Sequence, residues 1–149
     1  MAIRVLLADD HRIVRDGLRT LITKQEDMDV VGEAEDGRSA IELTKKLLPD
    51  VVIMDVTMPD MNGITATRKI IEEIQSVKVI ALSMHSDRRF VSGMMDAGAL
   101  GYLLKDCAFE ELADAIRTVY SNERYLSAQV ADKINPFLND PGKFKKNLL

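Results

Sequence analysis

The sequence predicts a doubly wound α/β fold with a five-stranded parallel sheet and five flanking helices. Three observations carry this. Five short runs rich in Val, Ile and Leu alternate along the chain with five helical patterns. The central runs are apolar throughout rather than alternating, which is the mark of strands covered on both faces. Each connection holds a helix, and the right-handed crossover rule then distributes the helices over both faces of one sheet.

The first strand is expected at Ile3–Ala8. After Asp9 and Asp10, the spacing of Ile13, Val14, Leu18, Leu21 and Ile22 gives a helix with one apolar stripe. Met28–Ala34 is the second strand. Asp36 opens a helix that runs through Leu48, and Pro49 blocks its continuation. The third strand, Val51–Met54, ends at Asp55. The TMPDMNG stretch at 57–63 carries turn signals in its Pro and its Asn-Gly pair. A helix from Ile64 to Gln75 leads to the fourth strand at Val77–Leu82. Asp87–Ala97 is the fourth helix, Tyr102–Leu104 the fifth strand and Phe109–Tyr120 the fifth helix.

The tail differs in kind. Ser127 is placed to N-cap a short helix through Ile134, Pro136 stops it, and Asn139-Asp140-Pro141-Gly142 is a strong turn. The expected division is therefore a main domain over 1–121 and a linker with a short helix over 122–149.

Composition narrows the class. The chain has 149 residues, a formal charge of −4 and 46% hydrophobic residues, values that suit one globular domain. Residues 1–120 carry 15 basic and 21 acidic side chains, and there is no Trp. An acidic domain without a basic, aromatic-lined face lacks the charge that dominates nucleic-acid affinity, so this stretch is not expected to bind DNA directly. One cysteine, Cys107, excludes an internal disulfide framework and fits a reducing compartment. No apolar run approaches the ~20 residues that span a bilayer, and no signal peptide is recognisable, so the expected location is cytoplasmic, away from the membrane.

Open α/β sheets bind ligands outside the carboxyl ends of their strands. Asp9 and Asp10 follow the first strand, Asp55 the third, Ser83 the fourth and Lys105 the fifth, so all five polar groups are expected at one sheet edge. Three carboxylates there would repel one another unless a cation joined them, and an all-oxygen set favours a hard ion such as Mg²⁺. A carboxylate in such a setting is a competent nucleophile toward a phosphoryl group, a reaction that needs positioning and charge neutralisation above all. Asp55 is the candidate nucleophile, Asp10 a direct metal ligand and Asp9 a second ligand acting through water. Lys105 would supply a compact positive charge and Ser83 a hydroxyl hydrogen bond. His11 reads as a surface residue of the first helical turn rather than a ligand, because two histidines and one cysteine are too few for a nitrogen- and sulfur-rich metal site.

Taken together, Asp9-Asp10, DVTMPDMNG around Asp55, ALS ending at Ser83 and GYLLK ending at Lys105 resemble the receiver domain of two-component response regulators. The resemblance covers about residues 3–120. ADDHRIVRDGL at 8–18, GYLLKD at 101–106 and YLSAQVADK at 125–133 are similar to the NarL/FixJ, or LuxR-type, branch. The resemblance implies a flavodoxin-like receiver fold. It also implies Asp55 as phosphoacceptor for a sensor histidine kinase, and Mg²⁺ held by Asp10, Asp55 and the Thr57 backbone carbonyl with help from Asp9. It pairs Ser83 with Tyr102 as a switch, and makes Thr57 and His85, each two residues past Asp55 and Ser83, positions that tune phosphoryl lifetime. Asp106 follows the lysine where many receivers have Pro, so no cis bond is expected there. Dimerisation on phosphorylation is expected of the branch, as is DNA binding through a helix-turn-helix domain that these residues do not contain.

Other functions fit less well. A haloacid-dehalogenase-type hydrolase wants a second acid two residues after its nucleophile, where this chain has Thr57. A flavin module wants a Ser-, Thr- or Gly-rich phosphate loop where Asp9-Asp10 stand. A pseudo-receiver acting by contacts alone has no need of the acid, hydroxyl and lysine together.

Overall fold

A computed structural model describes residues 2–133. The elements follow in the order β1 (Ile3–Ala8), α1 (Arg12–Thr23), β2 (Met28–Ala34), α2 (Gly37–Leu47), β3 (Val51–Asp55), α3 (Gly63–Glu73), β4 (Lys78–Ser83), α4 (Arg88–Asp96), β5 (Gly101–Leu104), α5 (Lys105–Tyr120), β6 (Tyr125–Leu126) and α6 (Ala128–Lys133). The sheet is parallel throughout, with strand order β2-β1-β3-β4-β5-β6. Strand order reverses between β1 and β3, the point at which open α/β sheets form their ligand crevice at the carboxyl edge.

Side-chain alternation along the strands sorts the core into two layers. Val5, Leu7, Ile53, Ile80 and Leu82 pack on one face against Leu18 and Ile22 of α1 and Leu112, Ile116 and Val119 of α5. Leu6, Ala8, Val52, Met54, Val79 and Ala81 pack on the other against Ala40, Ala66, Ile70, Val91 and Met94 of α2, α3 and α4. All five residues of β3 are buried, the reason its sequence shows no polar alternation. Capping side chains start α2, α3 and α4: Asp36 accepts from Ser39 N–H at 2.8 Å, Asn62 from Thr65 at 2.9 Å and Asp87 from Arg89 at 2.8 Å. Leu48 closes α2 in the left-handed region, φ 48°, and Pro49 follows.

Three sequence expectations change. The sheet has six strands rather than five, because Tyr125 N–H donates to the Leu100 carbonyl at 3.1 Å and Ser127 N–H to the Tyr102 carbonyl at 3.0 Å. A two-residue strand carries no periodicity, so only its pairing reveals it. Helix α5 begins at Lys105, not Phe109, because β5 runs straight into it from an extended Leu104. Ser127 does precede α6, but its hydroxyl is spent elsewhere: it accepts from Leu104 N–H and donates to Glu111, both at 3.3 Å. Residue 134 and beyond, including Pro136 and the 139–142 turn, lie outside the described residues. No helix among the described residues is long and apolar enough to cross a membrane.

Candidate functional site

Strand β3 delivers Asp55 to the carboxyl edge wholly buried. Its Oδ1 accepts the Thr57 N–H at 3.1 Å, and its Oδ2 lies 3.2 Å from Lys105 Nζ. The loop after it doubles back closely: Gly63 N–H donates to the Val56 carbonyl at 2.8 Å, and a side chain at Gly63 would overlap the Asp55 backbone carbonyl. A glycine is therefore required at the end of the turn that presents Asp55.

Strand β1 delivers Asp9 beside it, with a side chain only 2% exposed. Asp9 Oδ1 accepts the His11 N–H at 2.7 Å. Asp9 Oδ2 lies 3.1 Å from Lys105 Nζ yet receives no properly directed hydrogen bond. Asp10 is more exposed and reaches toward the cleft opening, its Oδ1 3.3 Å from His11 Nδ1. The buried Arg15 braces this turn by donating to the Asp9 carbonyl at 2.7 Å while pairing with Glu33 and Glu35.

Two buried carboxylates share one ammonium, and the balance is visible in Asp55. Burial first, and then the negative charge of Asp9, push its carboxyl up from the ordinary 3.8 to about 7. The Lys105 ammonium and the Thr57 N–H pull it down again without restoring the usual range.

The remaining expected residues surround this pair. Ser83, buried at the end of β4, accepts the His85 N–H at 2.9 Å. Tyr102 is fully buried and donates to the His85 carbonyl at 2.8 Å. Its hydroxyl is thus engaged inside the protein rather than left in water. His85 takes part through its backbone, while its ring stacks on Phe90 with centroids 4.6 Å apart. Thr57 is exposed at the rim.

His11 lies at the surface, as expected, but its ring faces the acids. It is the N-cap residue of α1, and its half-exposed ring turns into the cleft. Nδ1 stands 3.0 Å from Asp9, 3.3 Å from Asp10, 3.2 Å from Lys105 Nζ and 4.0 Å from Asp55 Oδ2. Arg15, which braces the Asp9 turn, likewise carries no motif of its own. The signal for both was position: residues following paired acids at a strand end occupy the first turns of the helix beside the cleft.

Residues 5–117 match the family model of the response regulator receiver domain. The chain belongs to that family. Similar proteins include the response regulator GacA of Pseudomonas aeruginosa, 39% identical over 132 residues, covering 89% of this chain and 62% of GacA. UvrY of Escherichia coli K12 is 42% identical, covering 89% of this chain and 61% of UvrY. LiaR of Bacillus subtilis is 43% identical over 141 residues, covering 95% and 67%. This receiver chain spans about three-fifths of the length of GacA and UvrY. Among solved structures, a LuxR-family two-component response regulator from Aurantimonas sp. SI85-9A1 superposes with a TM-score of 0.88 at 35% identity, covering 94% of this chain and all of that one. The isolated REC domain of RcsB from Salmonella enterica gives 0.82 at 30% identity, covering 89% and 99%. This is therefore a receiver domain of two-component response regulators of the NarL/LuxR type, a signalling switch and not a classical enzyme. Members of the family partner with sensor histidine kinases.

Proposed function

We propose that Asp55 accepts a phosphoryl group from a sensor histidine kinase in a Mg²⁺-dependent step, and that the resulting aspartyl phosphate repacks the surface around β5. The observation that carries this reading is the fully buried Asp55 carboxylate beside Asp9 and one lysine ammonium. Such an arrangement is costly to keep folded and serves no packing purpose.

The donor set fits a hard divalent cation. Asp9, Asp10 and Asp55 offer carboxylate oxygens to one point, and the buried Asp9 Oδ2 lacks a directed partner. Asp10, Asp55 and the Thr57 carbonyl would hold the ion directly, with Asp9 assisting. Mg²⁺, when bound, neutralises the acids and the phosphoryl oxygens.

The chain's own residues supply the rest. The Thr57 N–H fixes one Asp55 oxygen, leaving the other to attack phosphorus as the P–N bond to the donor imidazole breaks. Lys105, held by Asp9 and Asp55 together, is already placed against the oxygens that gain charge. Thr57 and His85, at the rim, control the access of water that sets the lifetime of the product.

Ser83 transmits the event. In the resting arrangement its oxygen accepts the His85 N–H, and the Tyr102 phenol donates to the His85 carbonyl of the same turn. Drawing the Ser83 hydroxyl toward a phosphoryl group would release the His85 N–H and loosen the β4–α4 turn on which Tyr102 is anchored, biasing a packed element between two arrangements. The RcsB receiver solved in the presence of phosphomimetic BeF3− supports the comparison. Dimerisation on phosphorylation, and DNA contact through a domain following the 122–149 linker, belong to the same reading.

The test is the intact mass of the chain after incubation with acetyl phosphate and Mg²⁺. A gain of one phosphoryl group, absent with EDTA and absent in Asp55→Asn, supports the reading; an equal gain in Asp55→Asn overturns it.

A further inference from the structure

We infer that His11 makes this cleft a mixed nitrogen–oxygen cation site, able to hold a borderline divalent ion such as Co²⁺, Zn²⁺ or Ni²⁺ through its imidazole Nδ1. The inference rests on the reading of the cleft as a cation site and adds a ligand and a metal class to it.

Four atoms from Asp9, Asp10, His11 and Asp55 lie within 4.8 Å of one another. His11 Nδ1 stands 3.0 Å from Asp9 Oδ1 and 3.3 Å from Asp10 Oδ1. Two ligands each about 2.1 Å from a common ion are separated by roughly 3–3.5 Å in a tetrahedral or octahedral shell, so these edges already have coordination dimensions. The backbone is fixed as well: the His11 N–H is tied to Asp9 and the residue caps α1. Only the ring needs to move.

Two further features point to a cation. Asp9 Oδ2 is buried without a directed hydrogen bond. Lys105 Nζ also approaches Asp9 Oδ2 at 3.1 Å, Asp55 Oδ2 at 3.2 Å and His11 Nδ1 at 3.2 Å. Nδ1 faces both Asp9 Oδ1 at 3.0 Å and Lys105 Nζ at 3.2 Å. In the tautomer that accepts from Lys105 its lone pair is directed inward, as it would be to a metal, and in the other it donates to Asp9. The ring is half exposed, so packing alone does not require it to face the acids. Imidazole adds little affinity for Mg²⁺, which is an oxygen-seeking ion, but much for Co²⁺, Ni²⁺ and Zn²⁺. The side chain therefore divides metals by class at one site.

The experiment is a Co²⁺ titration of the 149-residue chain, followed by visible absorption, with NMR of the two histidine rings in a parallel Zn²⁺ titration. Zn²⁺ and Mg²⁺ affinities are measured in parallel by calorimetry on wild type, His11→Phe and His11→Gln. The expected result is that His11→Phe loses at least tenfold in Co²⁺ and Zn²⁺ affinity while its Mg²⁺ affinity changes less than threefold. In the NMR titration the diamagnetic Zn²⁺ should shift the His11 ring signals and leave those of His85. Unchanged Co²⁺ affinity in both variants, with thermal melts showing them folded, overturns the inference, as does Zn²⁺ binding that leaves the His11 ring signals in place. A wild type that binds no Mg²⁺ would overturn the underlying reading of the cleft, while His11-dependent Co²⁺ binding would still uphold the ligand.

Discussion

Replacing Asp55 by Asn should stabilise the metal-free protein, and by an amount that grows with pH. The unfolded carboxyl ionises near 3.8, whereas the folded one, lifted by burial and by Asp9, ionises at about 7. Between those values the folded chain keeps a proton that the unfolded chain has lost, so stability falls as pH rises through this window and levels off above it. At about 1.4 kcal/mol for each tenfold change, the gap bounds the cost of ionising Asp55 in the fold at about 4 kcal/mol. The pull of Lys105 and of the Thr57 N–H is already inside that gap, and an amide facing the Lys105 ammonium matches a protonated carboxyl imperfectly, which returns part of the gain. The net expectation is about 2 kcal/mol in favour of Asp55→Asn at pH 8 and close to nothing at pH 4. Urea unfolding of both proteins at the two pH values, without divalent ions, measures it. Added Mg²⁺ should then stabilise wild type at pH 8 more than the variant, since binding to the folded state alone adds stability by mass action. A variant less stable than wild type at pH 8, or a difference independent of pH, would refute the electrostatic account of the site.

Lys105→Met leaves two buried carboxylates facing each other and should slow phosphorylation by acetyl phosphate at least tenfold, measured by mass in a time course. Tyr102→Phe strips the His85 carbonyl of its buried donor at 2.8 Å and should cost about 1 kcal/mol, a fall of roughly 2–4 °C in melting temperature. Gly63→Ala places a methyl group against the Asp55 carbonyl and should cost more than about 2 kcal/mol, seen as a lower urea midpoint, because backbone rather than a flexible side chain must yield.

The strand-end groups were legible because a parallel sheet leaves them no alternative. Once Ile3–Ala8, Val51–Asp55 and Lys78–Ser83 are neighbouring parallel strands, Asp9, Asp55 and Ser83 must share one edge. Lys105 followed from the fifth strand by the same logic, although the helix begins on it directly. What the sequence hid is set by pairing and side-chain direction. Tyr125 and Leu126 form a strand only because the carbonyls of Leu100, just before β5, and of Tyr102 within it accept from the tail. Ser127 looked like a cap, and its carbonyl does open α6. Its hydroxyl joins Tyr125, 2.6 Å from Glu111, in binding the tail to α5. His11 is at the surface as its position predicts, but a half-exposed ring carries no burial pattern, and only its rotamer turns it toward the acids.

The most direct test of the central claim is to trap the phosphorylated protein with borohydride and sequence its peptides by mass spectrometry. An aspartyl phosphate is reduced to homoserine, whereas a free carboxylate is left intact. The account predicts homoserine at position 55, formed only after treatment with acetyl phosphate and Mg²⁺. Homoserine at position 9 or 10, or an unmodified Asp55 in a protein that has gained phosphoryl mass, would contradict it.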